Sequence, residues 1–215
     1  MVLQIDKGEV FLCKSGETLC VSVKADVKDA GRICVDVQVE GERICGVARF
    51  ECADVARLLA RLPMRYLVEP LMAIKAGSIR LDTTFRLQNR RFTSRFAAQL
   101  HSALFTIPKT RLTVTEINAM LTGTYDGGRF DAFCFGQGEI QTGGETSFTV
   151  VLAYDKRLHA DVDAWAVGVK INRCLRQAMP KTAEAVFDAI NPRGKVDCHF
   201  TLHYAQTVSY THLTL

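Results

Sequence analysis

Ile79-Arg-Leu-Asp-Thr-Thr-Phe-Arg-Leu-Gln88 is the stretch that decides the fold. Ile79, Leu81, Thr83, Phe85 and Leu87 fall on one side of an extended chain, and Arg80, Asp82, Thr84, Arg86 and Gln88 fall on the other. Successive side chains of a strand point to opposite faces, so the run reads as a half-buried β-strand with one apolar and one polar face. The same period appears at Ile33, Val35, Val37 and Val39 against Cys34, Asp36, Gln38 and Glu40. It returns at Val196, Cys198, Phe200, Leu202 and Tyr204 against Asp197, His199, Thr201 and His203. Gly41-Glu42, Gly127-Gly128 and Gly143-Gly144 punctuate the runs. Glycine tolerates the positive φ of primed hairpin turns, so these sites predict antiparallel neighbours.

Two stretches break the rhythm with helical spacing: Ala53 to Ala73, split by Pro63, and Arg173 to Ile190, split by Pro180. Laid over one another they give an internal repeat. Pro63 and Pro180 differ by 117 positions, as do Gly77 and Gly194, and in that register Leu58 meets Leu175, Leu62 meets Met179 and Ile79 meets Val196. Each copy reads as strand, short helix ending at proline, second short helix, glycine and long alternating strand. Solenoid units are far shorter, so the repeating unit is several hairpins plus a helical pair. The expected fold is mainly β: an elongated, antiparallel, curled sheet forming a β-groove, with two helical-pair inserts. Roughly 14 strands at about 4.8 Å each give a ribbon of about 65 Å. The segments are 1–52 β, 53–75 helical pair, 76–171 β, 172–192 helical pair and 193–207 the start of the next β segment. The last eight residues, Val208 to Leu215, resemble a translated sequencing adapter, so 208–215 is set apart as artefactual and Met1 is read as an internal start.

Composition narrows the function. At 48% hydrophobic residues the chain has ample material for a core. The formal charge of +4 is scattered, whereas phosphate tracking needs clustered cations, so nucleic acid is not an expected partner. The densest basic group, Arg86, Arg90, Arg91 and Arg95, reads as a solvated hairpin end, with an anionic head-group contact as the alternative. No apolar run reaches the length of a membrane-spanning helix, and no signal sequence follows Met1. The eight cysteines include no CxxC pair and no histidine at ligand spacing. They read as buried small hydrophobes, with a disulfide as the alternative, and the redox compartment stays open.

Thr110-Arg-Leu-Thr-Val-Thr-Glu-Ile-Asn-Ala-Met-Leu-Thr-Gly-Thr-Tyr-Asp-Gly-Gly-Arg-Phe-Asp131, followed by Gly136-Gln-Gly-Glu-Ile140, resembles the AsmA-like proteins of bacterial envelopes (the AsmA/TamB/YhdP type). Short strands carrying a core glycine, Asp-Gly turns and a returning G-x-G-x-I strand carry the likeness. Val169 to Pro180 with Ala189 to Asp197 is similar to the linker between β modules of that family, and the likeness spans about Asp54 to Tyr204. It implies a membrane-anchored, periplasm-facing β-groove that shields lipid acyl chains in transfer between membranes and in outer-membrane biogenesis, with other envelope proteins as partners. The chain departs from the family pattern in its missing N-terminal anchor and its many cysteines.

A search for catalysis finds no convergent titratable groups. His101, His159, His199 and His203 are dispersed, and Asp155-Lys-Arg-Leu-His159 reads as a charged loop with internal salt bridges. Trp165 reads as a core or interface aromatic, and no nucleophile-elbow, zincin or phosphate-loop motif occurs. The chain is therefore expected to be no enzyme and to need no cofactor or metal. Ile79, Leu81, Phe85, Phe148, Val150, Leu152, Phe200 and Leu202 are the expected acyl-chain contacts. Val151 and Ala153 make the second face of their strand apolar as well, as fits a strand that packs a helix on one side and meets lipid on the other, or one buried on both faces of a sandwich. Two other readings stand beside this one: a β scaffold for protein interaction whose apolar face is filled by its own side chains, and a cytoplasmic β domain with a ligand pocket.

Overall fold

The computed structural model describes residues 5–28, 31–57, 74–106, 112–178, 181–205 and 208–214. These form β1 (Ile5–Ser15), β2 (Thr18–Val27), β3 (Gly31–Glu40), β4 (Arg43–Cys52), β5 (Ile74–Gln88), β6 (Arg91–Thr106), β7 (Thr113–Asp126), β8 (Arg129–Ile140), β9 (Glu145–Asp155), β10 (Arg157–Lys170), β11 (Lys195–Ala205) and β12 (Val208–Thr214). Helices α1 (Arg173–Ala178) and α2 (Lys181–Ile190) lie between β10 and β11. Every strand pairs antiparallel with its neighbours in sequence, giving one open sheet in the order β1 to β12. Mainly β and antiparallel is what the alternation predicts. The described strands number twelve rather than roughly fourteen, because runs such as Arg91–Thr106 are single strands of 16 residues, well beyond the usual five or six.

Short turns gather along one margin of the sheet: Gly16-Glu17, Gly41-Glu42, Asn89-Arg90, Gly127-Gly128 and Lys156. Asn89 and Arg90 both take positive φ, 51° and 61°, as a type I′ turn requires. The expected charged loop at 155–159 is instead a turn of one residue. Asp155 already faces Arg157 in the ladder, and Lys156 alone, at φ 59°, reverses the chain. Longer connections gather along the opposite margin. Residues 55–57 are helical there, and the rest of the first expected helical pair, 58–73, lies outside the described residues.

At that margin Leu112, Ile140, Val169 and Leu175 form a buried cluster, joined by Ala166, Val196 and Phe187. Burying Leu175 from α1 and Phe187 from α2 holds the helices against the ends of β8, β10 and β11. The Asn172 side chain accepts a hydrogen bond from the Leu175 N–H at 3.0 Å and caps α1. Arg176 reaches Asp188 at 3.1 Å and Asn191 at 2.9 Å, tying α1 to α2. At the far edge Val208–Thr214, the segment set apart in the sequence, pairs with β11 from Ala205 to His199.

Register gives the sheet one apolar and one polar face. On the polar face Arg49 meets Asp82 at 2.7 Å, Arg91 meets Asp126, Arg32 meets Asp26 at 2.9 Å, and His199 and His203 meet Asp163 and Asp161 at 3.0 and 2.8 Å. Hydrogen bonding by Arg49 holds the Asp82 carboxyl below its ordinary range, and Arg91 does the same for Asp126. A carboxylate depressed in the folded state stabilises the fold above its unfolded value, about 3.9, and that stabilisation is lost as pH falls through the lower folded value. Urea midpoints should therefore drop below about pH 4, and Arg49→Met should flatten the part of that drop due to Asp82. Parallel profiles for the variant and the parent would refute the assignment.

Candidate ligand-binding face

The apolar face follows from cross-strand pairing. Leu19, Val37 and Gly46 continue into Phe85, Ser94 and Tyr125 through successive partners or their near neighbours, and the same parity runs on to Tyr204. From β2 to β11 the regularly paired positions of this face, Leu19 to Tyr204, include no charged residue.

All eight residues expected to contact an apolar ligand lie on this face, and all eight are half-buried. They form two groups. Phe148 and Phe200 flank Ala164, and Val150 and Leu202 flank Val162, with Leu152 one step along β9 beside Ala160. Ile79, Leu81 and Phe85 line β5, four strands from β9 and so about 19 Å away. The structure therefore places the eight on one surface as two patches. Val151 and Ala153 occupy the other face, where Val151 is exposed rather than packed.

Three phenylalanine–glycine pairs shape the surface: Phe85 opposite Gly46, Phe96 opposite Gly123 and Phe148 opposite Gly136. Each ring lies over the glycine, occupying the space that a side chain would take, an arrangement that restores packing where glycine weakens a strand. Phe96 also stacks on Phe130 with centroids 5.5 Å apart, and Phe92 lies 5.9 Å from Tyr125. None of these pairs was singled out from the sequence. The Asn89-Arg90 turn could have revealed the Phe92 placement, since a two-residue turn sets Gln88 opposite Arg91 and hence Leu87 opposite Phe92.

Among the described residues little covers the face. Total accessible surface is 14488 Å². A compact monomer of 23.9 kDa exposes about 9,900 Å² by size scaling, so this chain exposes roughly half as much again. The expectation of uniformly buried cysteines is corrected in part: Cys52 is buried, but Cys13 is exposed on the first strand and most others are half-buried. All eight are free thiols. Burial raises the Cys134 and Cys198 thiols above their ordinary range, which leaves less thiolate at neutral pH.

Comparison with protein-family models, with curated proteins and with solved structures gives no match. The geometry therefore carries the functional reading.

Two outcomes follow from the face as built. A Cβ at Gly136 would stand 2.5 Å from Phe148 Cζ and 2.8 Å from Ala119 Cβ, so Gly136→Ala should cost about 1–3 kcal/mol in denaturant unfolding. The cost should shrink in a Phe148→Leu background; an equal cost in both would show that the ring is not the obstacle. In timed alkylation read by mass spectrometry, Cys13 should react first and Cys52 last, with Cys134 and Cys198 slow. Cys134 reacting as fast as Cys13 would contradict the burial described.

Proposed function

We propose that the chain is a segment of an AsmA-like envelope protein facing the periplasm, which holds lipid acyl chains against its apolar face for transfer or envelope biogenesis. One observation carries the proposal: a charge-free face runs across ten consecutive strands, and its large side chains are only half-buried because the described helices cover just one margin. A sheet with one wet face must bury the other, and stable domains usually do so with a second layer. Here the second layer over most of the face is supplied by the ligand. Length agrees with this. Twelve strands span about 53 Å, whereas one leaflet of acyl chain is about 15 Å, half of a bilayer's hydrocarbon core, so several chains fit in line. Each buried methylene contributes about 0.8 kcal/mol, enough for a chain laid along the face to stay out of water.

The 117-residue repeat belongs to the same proposal. Gly77 and Gly194 share a positive φ, 124° and 113°. The partnership Cys52 with Ile79 becomes Val169 with Val196 in the repeat register. Six strands separate equivalent points, so β4 and β10 both end at the same margin and the apolar side is preserved. A repeat of this kind lengthens an apolar surface without changing its character. The membrane anchor and envelope partners of the family enter as part of the proposal, with acyl chains as the direct ligand.

Native mass spectrometry with lipid extraction tests the reading on the full chain expressed in a Gram-negative host. Phospholipid should co-purify and fall severalfold in the Phe148→Asp, Leu152→Asp double variant, with unchanged far-ultraviolet circular dichroism. A lipid-free, monodisperse parent protein would instead favour a scaffold whose apolar face takes a protein partner.

A further inference from the structure

The polar face changes character at β8 to β10. Amid the ion pairs of these strands, Phe135 and Trp165 are each 50% exposed. A patch of exposed aromatic surface on an otherwise charged face marks a contact site. Cross-strand pairing explains its form. Trp165 on β10 faces Ser147 on β9, which faces Gln137 on β8; in the next row Thr149 stands between Asp163 and Phe135. Small residues on β9 thus lie between the large rings of β8 and β10, whose strand axes are about 9.5 Å apart. The result is a hollow of about 530 Å³.

Trp165 is held ready. His199 on β11 stacks on it with centroids 3.9 Å apart and planes 8° from parallel, and Asp163 binds His199 at 3.0 Å. His199 backs one face of the indole and does not line the hollow, so the other face is the one turned toward Ser147 and Thr149. Gln99 and Gln137 border the hollow and are exposed, and their side-chain amides make no hydrogen bond within the described residues. No lysine or arginine lines it, and its one carboxylate, Asp163, is already engaged by His199. The other hollow on this face, about 970 Å³, mixes Arg86 and Arg95 with Asp36 and Asp126 and selects no single charge.

We propose that this slot binds a neutral saccharide ring, the apolar ring face on Trp165 and the hydroxyl groups on Gln137, Ser147 and Thr149. A saturated ring bearing equatorial hydroxyls combines one apolar face with a rim that needs both donors and acceptors, and a primary amide offers both from one side chain. An anionic ligand would find no lysine or arginine here. The slot lies on the face opposite the acyl-chain surface, so it stands or falls independently of the lipid reading.

Trp165 is the chain's sole tryptophan, which makes its fluorescence a direct reporter of occupancy. The full chain is titrated with cellotetraose, chitotetraose, maltotetraose and mannotetraose. At least one should shift the emission saturably, with half-saturation at about 0.1–1 mM. Phe135→Ala and Gln137→Ala should each weaken the response about tenfold, whereas Glu9→Gln, exposed on the distant β1, should leave it unchanged. Gln137 is solvent-exposed, so its variant keeps the fold and separates binding from stability. No saturable change with any of the four sugars overturns the proposal. So does a response to adenosine or indole in place of the sugars, or a sugar response untouched in both slot variants.

Discussion

Side-chain parity, carried unbroken from strand to strand, is the constraint on which the rest of this structure depends. A slip of one residue in any hairpin would turn that strand's apolar set to the polar side. Short turns along one margin prevent it: Asn89-Arg90 and Gly127-Gly128 each set the flanking residues directly opposite one another. The register shifts, such as those between Leu100 and Ala103, Thr115 and Asn118, and Ala166 and Val169, all lie toward the other margin. Bulges bend and twist a sheet locally, so the irregularity is confined to the side where the helices dock.

Parity alone makes two faces; it does not make a core. The buried cluster around Val169 joins helices to sheet at one corner, and among the described residues Val169 is the most deeply buried side chain there. Across the remaining strands stability comes from the ladder and from cross-strand pairs, among which Phe96 with Phe130 and the phenylalanines over glycine are the most substantial. Stability is thereby distributed along the sheet, and the apolar face stays open. The Arg32–Asp26, Arg49–Asp82 and Arg91–Asp126 pairs of the opposite face are solvent-exposed and serve solubility and register more than stability.

Period and turn chemistry made the β class, the antiparallel pairing and the membership of the apolar face legible in the sequence. Alternation assigns a residue to a face regardless of its partner, and so the eight expected contact residues fall together on one side. Partnership was not legible, because it depends on register summed over many strands. The meeting of Phe148 with Gly136 and the division of the eight into two patches come from that sum. Of the two readings of Trp165, core and interface, exposure removes the first for a related reason: its size suggests an interior place, but odd-numbered positions of β10 belong to the polar face, with Asp161 and Asp163. The charged run at 155–159 was taken as a loop because charge was weighed above period, although Leu158 and Ala160 already continue the strand.

Pairing only between sequence neighbours also governs how such a chain reaches its fold. Loop closure becomes costlier with length, and β proteins fold slowly chiefly because their strands find distant partners. In this sheet no strand has a distant partner, and the connection from β10 to β11 spans only the two short helices. Any hairpin is a competent starting point, and each added strand meets a template already formed, as in linear repeat arrays. The chain can grow in order of synthesis, one strand at a time, with no strand waiting for a later segment to complete its ladder except the most recent.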